Sequence, residues 1–192
     1  MIIGLTGGMG SGKSTAARLF AREGLHRLDS DEIVRDEILV DPEVVAAIAA
    51  RFGADVLRAD GRLDRGRIGA RVFVSDEDRL WLENEVHPRL FAIWRQRLAG
   101  TPGAEWVFEV PLLFEKALEN WFDFTVCVAT SSRVQLARLE ERGVPKALAE
   151  QRISKQLPLA QKLELADYVL LNDGDVDFLH AQIVRLLRRL RA

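Results

Sequence analysis

Cysteine is nearly absent: Cys127 is the single one in 192 residues, so no disulfide can form within the chain. It stands in the apolar run 124–128, where a buried strand residue is the ordinary reading. His26, His87 and His180 are scattered. With one cysteine they make no metal-ligand cluster. Charge of one sign is also lacking. The formal net charge is −2, which argues against broad affinity for nucleic acid or for a membrane surface. No apolar run is long enough to span a bilayer. The first residues read as a core strand with no basic leader, so the expected location is cytoplasmic. Internal repeats and low-complexity segments are missing too.

The composition is otherwise that of an ordinary α/β protein, 48% hydrophobic and 29% charged, long enough to bury a good core. Its opening residues carry the strongest signal. An apolar strand, Ile2 to Leu5, runs into a loop with glycine at 7, 8, 10 and 12 and then into a helix. Gly7, Gly12, Lys13 and Ser14 fill the pattern G-x-x-x-x-G-K-[ST], the phosphate-binding P-loop. A triphosphate tail is dense negative charge. Backbone N–H groups can surround it only where no Cβ blocks the approach, and the following helix aims its free N–H groups at the same anion. Gly8, Gly10, Ser11, Gly12, Lys13, Ser14 and Thr15 are therefore the expected nucleotide-binding residues. Lys13 supplies a point charge and Ser14 a hydroxyl for Mg2+.

Strands and helices alternate along the rest of the chain, which predicts a mostly parallel sheet covered on both faces. Strands are expected near 25–28, 105–110, 124–129 and 168–171. The helices expected between them include one over Glu32 to Leu39, one beginning at Asp41-Pro42, one over Leu63 to Val74, and one from Ser75 that breaks at His87-Pro88 and restarts with Pro88 as its first residue. Ser131 or Ser132 should cap the helix that runs to Arg142, and Asp175 or Asp177 the last one. The segment from about Asp41 to Gly103 shows no clear strand and is the candidate helical insertion for a second substrate.

Asp29-Ser-Asp31 lies at a strand end. Aspartates there cap helices, and carboxylates there also point at a transferred phosphate. The arginines 62, 65, 67 and 71 fit a solvated helix face or an anionic acceptor. Gln135, Arg138 and Arg142 fall on one helix face by spacing. That pattern suits either a surface helix or a lid whose arginines close over phosphates and exclude water. The GTPase signature Asn-Lys-x-Asp is absent. The P-loop, the aspartate pair and the arginine helix favour a small-molecule kinase over a nucleotide-dependent switch.

Beyond these local readings, the chain resembles the dephospho-CoA kinase family. The resemblance rests on the opening 4–15, on Asp29-Ser-Asp31 with Arg35, on Gly61-Arg-Leu-Asp-Arg65 with Val72-Phe73, and on Leu82-Glu with His87-Pro88. It continues through Pro111-Leu-Leu-Phe-Glu115, Gln135-Leu-Ala-Arg138 with Arg142, and Arg152, Gln156, Lys162, Ala166-Asp167 and Asn172. The resemblance implies a P-loop fold with a five-stranded parallel sheet in the order 2-3-1-4-5. It implies a core of 1–40, 104–135 and 160–192, a helical CoA-binding insertion over 41–103 and a lid over 136–159. The implied reaction transfers phosphate from ATP, with Mg2+, to the ribose 3′-hydroxyl of dephospho-CoA, in a monomer or weak homo-oligomer. On this chain that makes Asp31 the general base, with Asp29 orienting it or the metal. Lys13, Arg138 and Arg142 would stabilise transferring charge, Ser14 would bind the metal, and Asn172 would sit on the nucleotide. Arg35, His87, Pro111, Leu112 and Leu113 would line the acceptor side. Glu109 departs from the aspartate or apolar residue of many members, and its role stays open.

Overall fold

The computed structural model describes residues 1–192. Its contacts divide the chain into a sheet unit, Met1–Asp29 with Gly103–Ala192, and a helical unit, Ser30–Pro102.

In the sheet unit five strands, β1 Ile2–Gly7, β2 His26–Asp29, β3 Trp106–Glu109, β4 Phe124–Ala129 and β5 Tyr168–Leu171, lie in the order β2-β3-β1-β4-β5. Every pairing is parallel. Helices of this unit are α1 Lys13–Arg22, α6 Ser132–Glu141, α7 Lys146–Ser154, α8 Leu159–Leu165 and α9 Val176–Leu190. Strand alternation sends Ile3, Leu5, Val107, Val126, Val128 and Leu170 to one face, where Phe20 of α1 and Leu179, Ile183 and Leu187 of α9 bury them. The opposite face is closed by α8 and by the chain after β3. Gly4 belongs there because a Cβ would meet Phe122 at 2.5 Å and Leu113 at 2.7 Å. Chain connections leave β1 and β3 in opposite directions, so the crevice outside their carboxyl ends is the switch point at which such sheets bind ligands. Cys127 is fully buried, and burial pushes its thiol up to about 11.

The helical unit contains α2 Ser30–Ile33, α3 Pro42–Phe52, α4 Arg65–Val74 and α5 Asp76–Ala99. Two expectations need correction here. The helix expected over Glu32 to Leu39 starts at Ser30 and widens after Ile33 into a π-helical turn, Val34–Ile38, where Leu39 N–H donates to the Val34 carbonyl at 2.9 Å. The helix break at His87-Pro88 does not occur, and α5 runs through Pro88. Val86, Leu90 and Trp94, spaced by four, are buried on both sides of the proline. Their packing holds the two halves in line despite the missing N–H. One turn back, the Glu85 carbonyl receives the Arg89 guanidinium at 2.7 Å.

The basic run is neither free nor wholly solvated. Arg67 and Arg71 each donate at 2.5 Å to the carbonyls of Asp55 and Phe52, near the end of α3. Asp41, Asp64, Ser75, Ser131 and Asp175 cap their helices through side-chain oxygens.

Candidate active site

The loop between β1 and α1 takes its shape from its glycines. Gly12 stands just before the helix with φ 94°, and a Cβ there would lie 2.0 Å from Asn172 Nδ2. At Gly7 a Cβ would lie 2.4 Å from the carbonyl oxygen of Val128. Only glycine lets the backbone come so close at these two points. Helix α1 opens with Thr15 and Ala16 donating to the Gly12 carbonyl at 3.1 and 3.0 Å. The N–H groups of Lys13 and Ser14 precede that ladder, at the positive end of the helix dipole, the arrangement that binds phosphate. Lys13 is 9% exposed as a residue, and its Nζ donates to the carbonyls of Gly7 and Gly8, both at 3.0 Å. It holds the bow of the loop closed and fixes a positive charge beside it.

Side chains from beyond β4 hold the loop from outside. Asn172 Nδ2 donates to the Ser11 carbonyl at 2.7 Å and Arg138 Nη1 to the same oxygen at 3.4 Å. Arg138 Nη2 also donates to the Asn172 carbonyl at 2.9 Å. Met9 is gripped at both backbone groups: its carbonyl accepts from Gln135 Nε2 at 2.6 Å, and its N–H donates to Gln156 Oε1 at 3.0 Å. Of the three residues expected on one face, Gln135 and Arg138 reach the loop. Arg142 is the exposed C-cap of α6 and makes none of these contacts. Asn172 is buried with its amide on the loop backbone. Thr15 Oγ1 accepts from Arg18 at 3.2 Å.

A carboxylate group lies at the ends of β2 and β3. Ser14 Oγ donates to Glu109 Oε1 at 2.6 Å. Arg27 Nη2 bridges Asp29 Oδ2 at 2.8 Å and Glu109 Oε2 at 3.2 Å. The parallel register sets Asp29 directly beside Glu109. Burial holds the Glu109 carboxyl above its usual range, and the Asp29 charge adds to this, against the pull of the Ser14 hydroxyl and of Arg27. Oxygen donors around like charge suit Mg2+, which takes one or two protein oxygens and completes its shell with water and phosphate. No group of three or more metal-ligating side chains exists, and this ion needs none. Arg27 was not legible as a site residue. Its signal was alternation, since residues 27 and 29 of one strand share a face.

The other expected residues fall as follows. Asp31 is exposed in the first turn of α2, two positions after Asp29. Arg35 grips Asp36 through Nε at 2.7 Å and Nη2 at 2.6 Å. His87 is half-buried against Phe91, ring centroids 5.8 Å apart. Pro111 follows β3, and its carbonyl accepts from Thr6 Oγ1 at 3.1 Å. Leu112 is exposed, whereas Leu113 is fully buried in the core beside Gly4.

Taken as a class, a parallel sheet in this order, a phosphate loop after its central strand, an arginine helix after β4 and carboxylates at the ends of β2 and β3 define a P-loop kinase. Within that class the chain belongs to the dephospho-CoA kinase family, whose family model matches residues 1–177. It is 39% identical over 183 residues to a dephospho-CoA kinase of Thermosynechococcus vestitus, covering 94% of this chain and 90% of that one. The fold is similar to the crystal structure of TT1252 from Thermus thermophilus, with TM-score 0.87 and 30% identity, covering 99% of this chain and 97% of the other. It is also similar to a dephospho-CoA kinase from Campylobacter jejuni, with TM-score 0.68, 22% identity and coverage of 98% and 96%. No helix is long and apolar enough to cross a membrane.

Proposed function

We propose that the chain transfers the γ-phosphoryl group of ATP to the ribose 3′-hydroxyl of dephospho-CoA, giving ADP and coenzyme A, the last step of CoA synthesis. The observation that carries this reading is the joining of a complete phosphate loop to the Ser14–Glu109–Arg27–Asp29 group in a chain of this family.

Phosphoryl transfer asks the protein mainly for positioning and for charge stabilisation. The N–H groups at the start of α1 and the Lys13 ammonium take up charge on the phosphates. Asp31 accepts the proton of the attacking hydroxyl, and Asp29, fixed by Arg27, keeps the neighbouring carboxylate charge in place. Ser14 with Glu109 and Asp29 would hold Mg2+, which supplies charge neutralisation on the phosphates when bound. Arg138 already lies on the loop, and Arg142 joins it when the lid over 136–159 closes and shuts out water. The helical segment over 41–103, with Arg35 and His87, and the loop Pro111, Leu112 and Leu113 receive the acceptor. A monomer or weak homo-oligomer in the cytoplasm completes the reading.

The test is ADP release by the purified protein with MgATP, alone and with dephospho-CoA, adenosine, AMP, uridine or gluconate. Stimulation by dephospho-CoA alone, with CoA formed in equal amount, is the expected result. Stimulation by a different acceptor keeps the kinase and discards the substrate. Hydrolysis indifferent to every acceptor favours a nucleotide-dependent switch.

A further inference from the structure

Lys162 on α8 has no exposed surface. Its Nζ meets Glu115 Oε1 at 2.8 Å and donates to the Pro111 carbonyl at 3.0 Å. Thr6 Oγ1, at the end of β1, donates to that same carbonyl. Glu115 Oε1 also accepts the N–H of Leu157 at 2.8 Å. One buried ion pair therefore joins the loop that leaves β3 to the chain that returns from α7 into α8.

Stability alone does not account for this pair. Taking two charges out of water costs several kcal/mol per ion, and apolar residues of similar volume commonly serve a fold as well or better. The Lys162 side chain is fully buried and that of Glu115 is 14% exposed. The pair even carries a buried oxygen, Glu115 Oε2, that has no hydrogen-bond partner, a standing cost. An apolar pair could fill the space. It could not set the Pro111 carbonyl and the Leu157 N–H at fixed distances from one centre, because dispersion has no direction while a charged donor between two oxygens does.

We propose that Lys162 and Glu115 are positioning residues, a brace coupling the loop after β3 to the lid's return, so that lid closure over the nucleotide and ordering of the acceptor side occur together. This rests on the reading of 111–113 as acceptor loop and of 136–159 as lid. When the two events come apart, the phosphoryl group passes to water: the γ-phosphate bond to ADP breaks, a bond to a water oxygen forms, and inorganic phosphate leaves.

The experiment uses the full chain with Lys162→Met and Glu115→Gln together, which removes both charges and keeps an acceptor for Leu157 N–H. Melting temperature, kcat, both KM values and ADP formed per CoA formed are measured. Expected are a melting temperature near that of wild type, KM for dephospho-CoA up about fivefold, kcat down about tenfold, KM for ATP within about twofold, and an ADP:CoA ratio above one. A purely structural pair would lower kcat only with the folded fraction and leave both KM values and the ratio unmoved, and that result overturns the proposal. Should the double variant not fold, Glu115→Asp is decisive, because it keeps both charges and withdraws the carboxylate from the Leu157 N–H by one methylene: a raised ADP:CoA ratio supports the brace, and wild-type kinetics overturn it. Wild-type protein that makes no CoA overturns the acceptor reading instead, so the two failures are distinct.

Discussion

Replacing Lys13 by alanine separates the two tasks of its ammonium. In the structure Nζ bonds the carbonyls of Gly7 and Gly8 at 3.0 Å each. Each such bond contributes about 1 kcal/mol net, and water can reach the loop once the side chain is gone, so the fold should lose roughly 1–2 kcal/mol. For a chain of this size that lowers the melting temperature by about 2–8 °C. It leaves well over nine-tenths of the protein folded at 25 °C, given a typical stability of about 5–15 kcal/mol. The catalytic loss is of another order. Removing one preorganised charge from a transition state costs about 3–4 kcal/mol, a factor of roughly a hundred to a thousand. Unfolding therefore cannot mimic it. The assay is CoA formation under saturating substrates beside a thermal melt of the same sample. Turnover within about threefold of wild type would refute the phosphate-loop assignment. A melting loss far beyond about 10 °C would show that the lysine's bonds to the loop carbonyls matter to the whole fold, and the magnitudes above would be wrong.

Three further outcomes are expected. Asp31→Asn should lower kcat about a hundredfold or more while ATP affinity, followed by nucleotide titration, stays within a few-fold; an equal loss of affinity would make Asp31 a metal or structural residue. Gly12→Ala puts a Cβ 2.0 Å from Asn172 Nδ2 at φ 94°, so ATP binding should be lost, and adding Asn172→Ala should restore it only in part because the backbone strain remains; full recovery would mean that the clash alone mattered. Glu109 has its carboxyl held above the usual 4.5, first by burial. Its favourable contribution is thus complete below about 4.5 and is lost as pH rises through the folded value. Glu109→Gln, which keeps the oxygen that accepts from Ser14, should therefore melt higher than wild type at neutral pH, with the gain closing below about pH 4.5. It should also need more Mg2+ for half-maximal rate. A variant that melts lower at neutral pH would place the Arg27 ion pair above the cost of burial.

What was legible followed the range of the physical signal. Runs such as 124–129 and 168–171 show their ends in composition alone, and β4 and β5 occupy those residues. Ser131 and Asp175 announce helix starts because a cap acts within three residues. The glycine and lysine spacing of the loop is local in the same way, so the loop and the start of α1 could be written down from fifteen residues. Pro88 misled for the complementary reason. Its propensity is local, but buried Val86, Leu90 and Trp94 decide the outcome through contacts that no short window contains. The π-helical turn at Val34–Ile38 likewise has no compositional mark. Least legible were pairings between segments far apart in sequence. Arg27 with Glu109, Ser14 with Glu109, and Lys162 with Glu115 are each made of residue types that a sequence places on the surface by default. Only the parallel register, which puts Asp29 beside Glu109, and the burial of α8 against β4 turn those surface types into interior pairs. A charge that a fold retains in its interior must be held by partners. The chain gathers these costly pairs where its phosphate loop, the loop after β3 and the return from α7 into α8 meet, the place at which fixed direction matters more than stability.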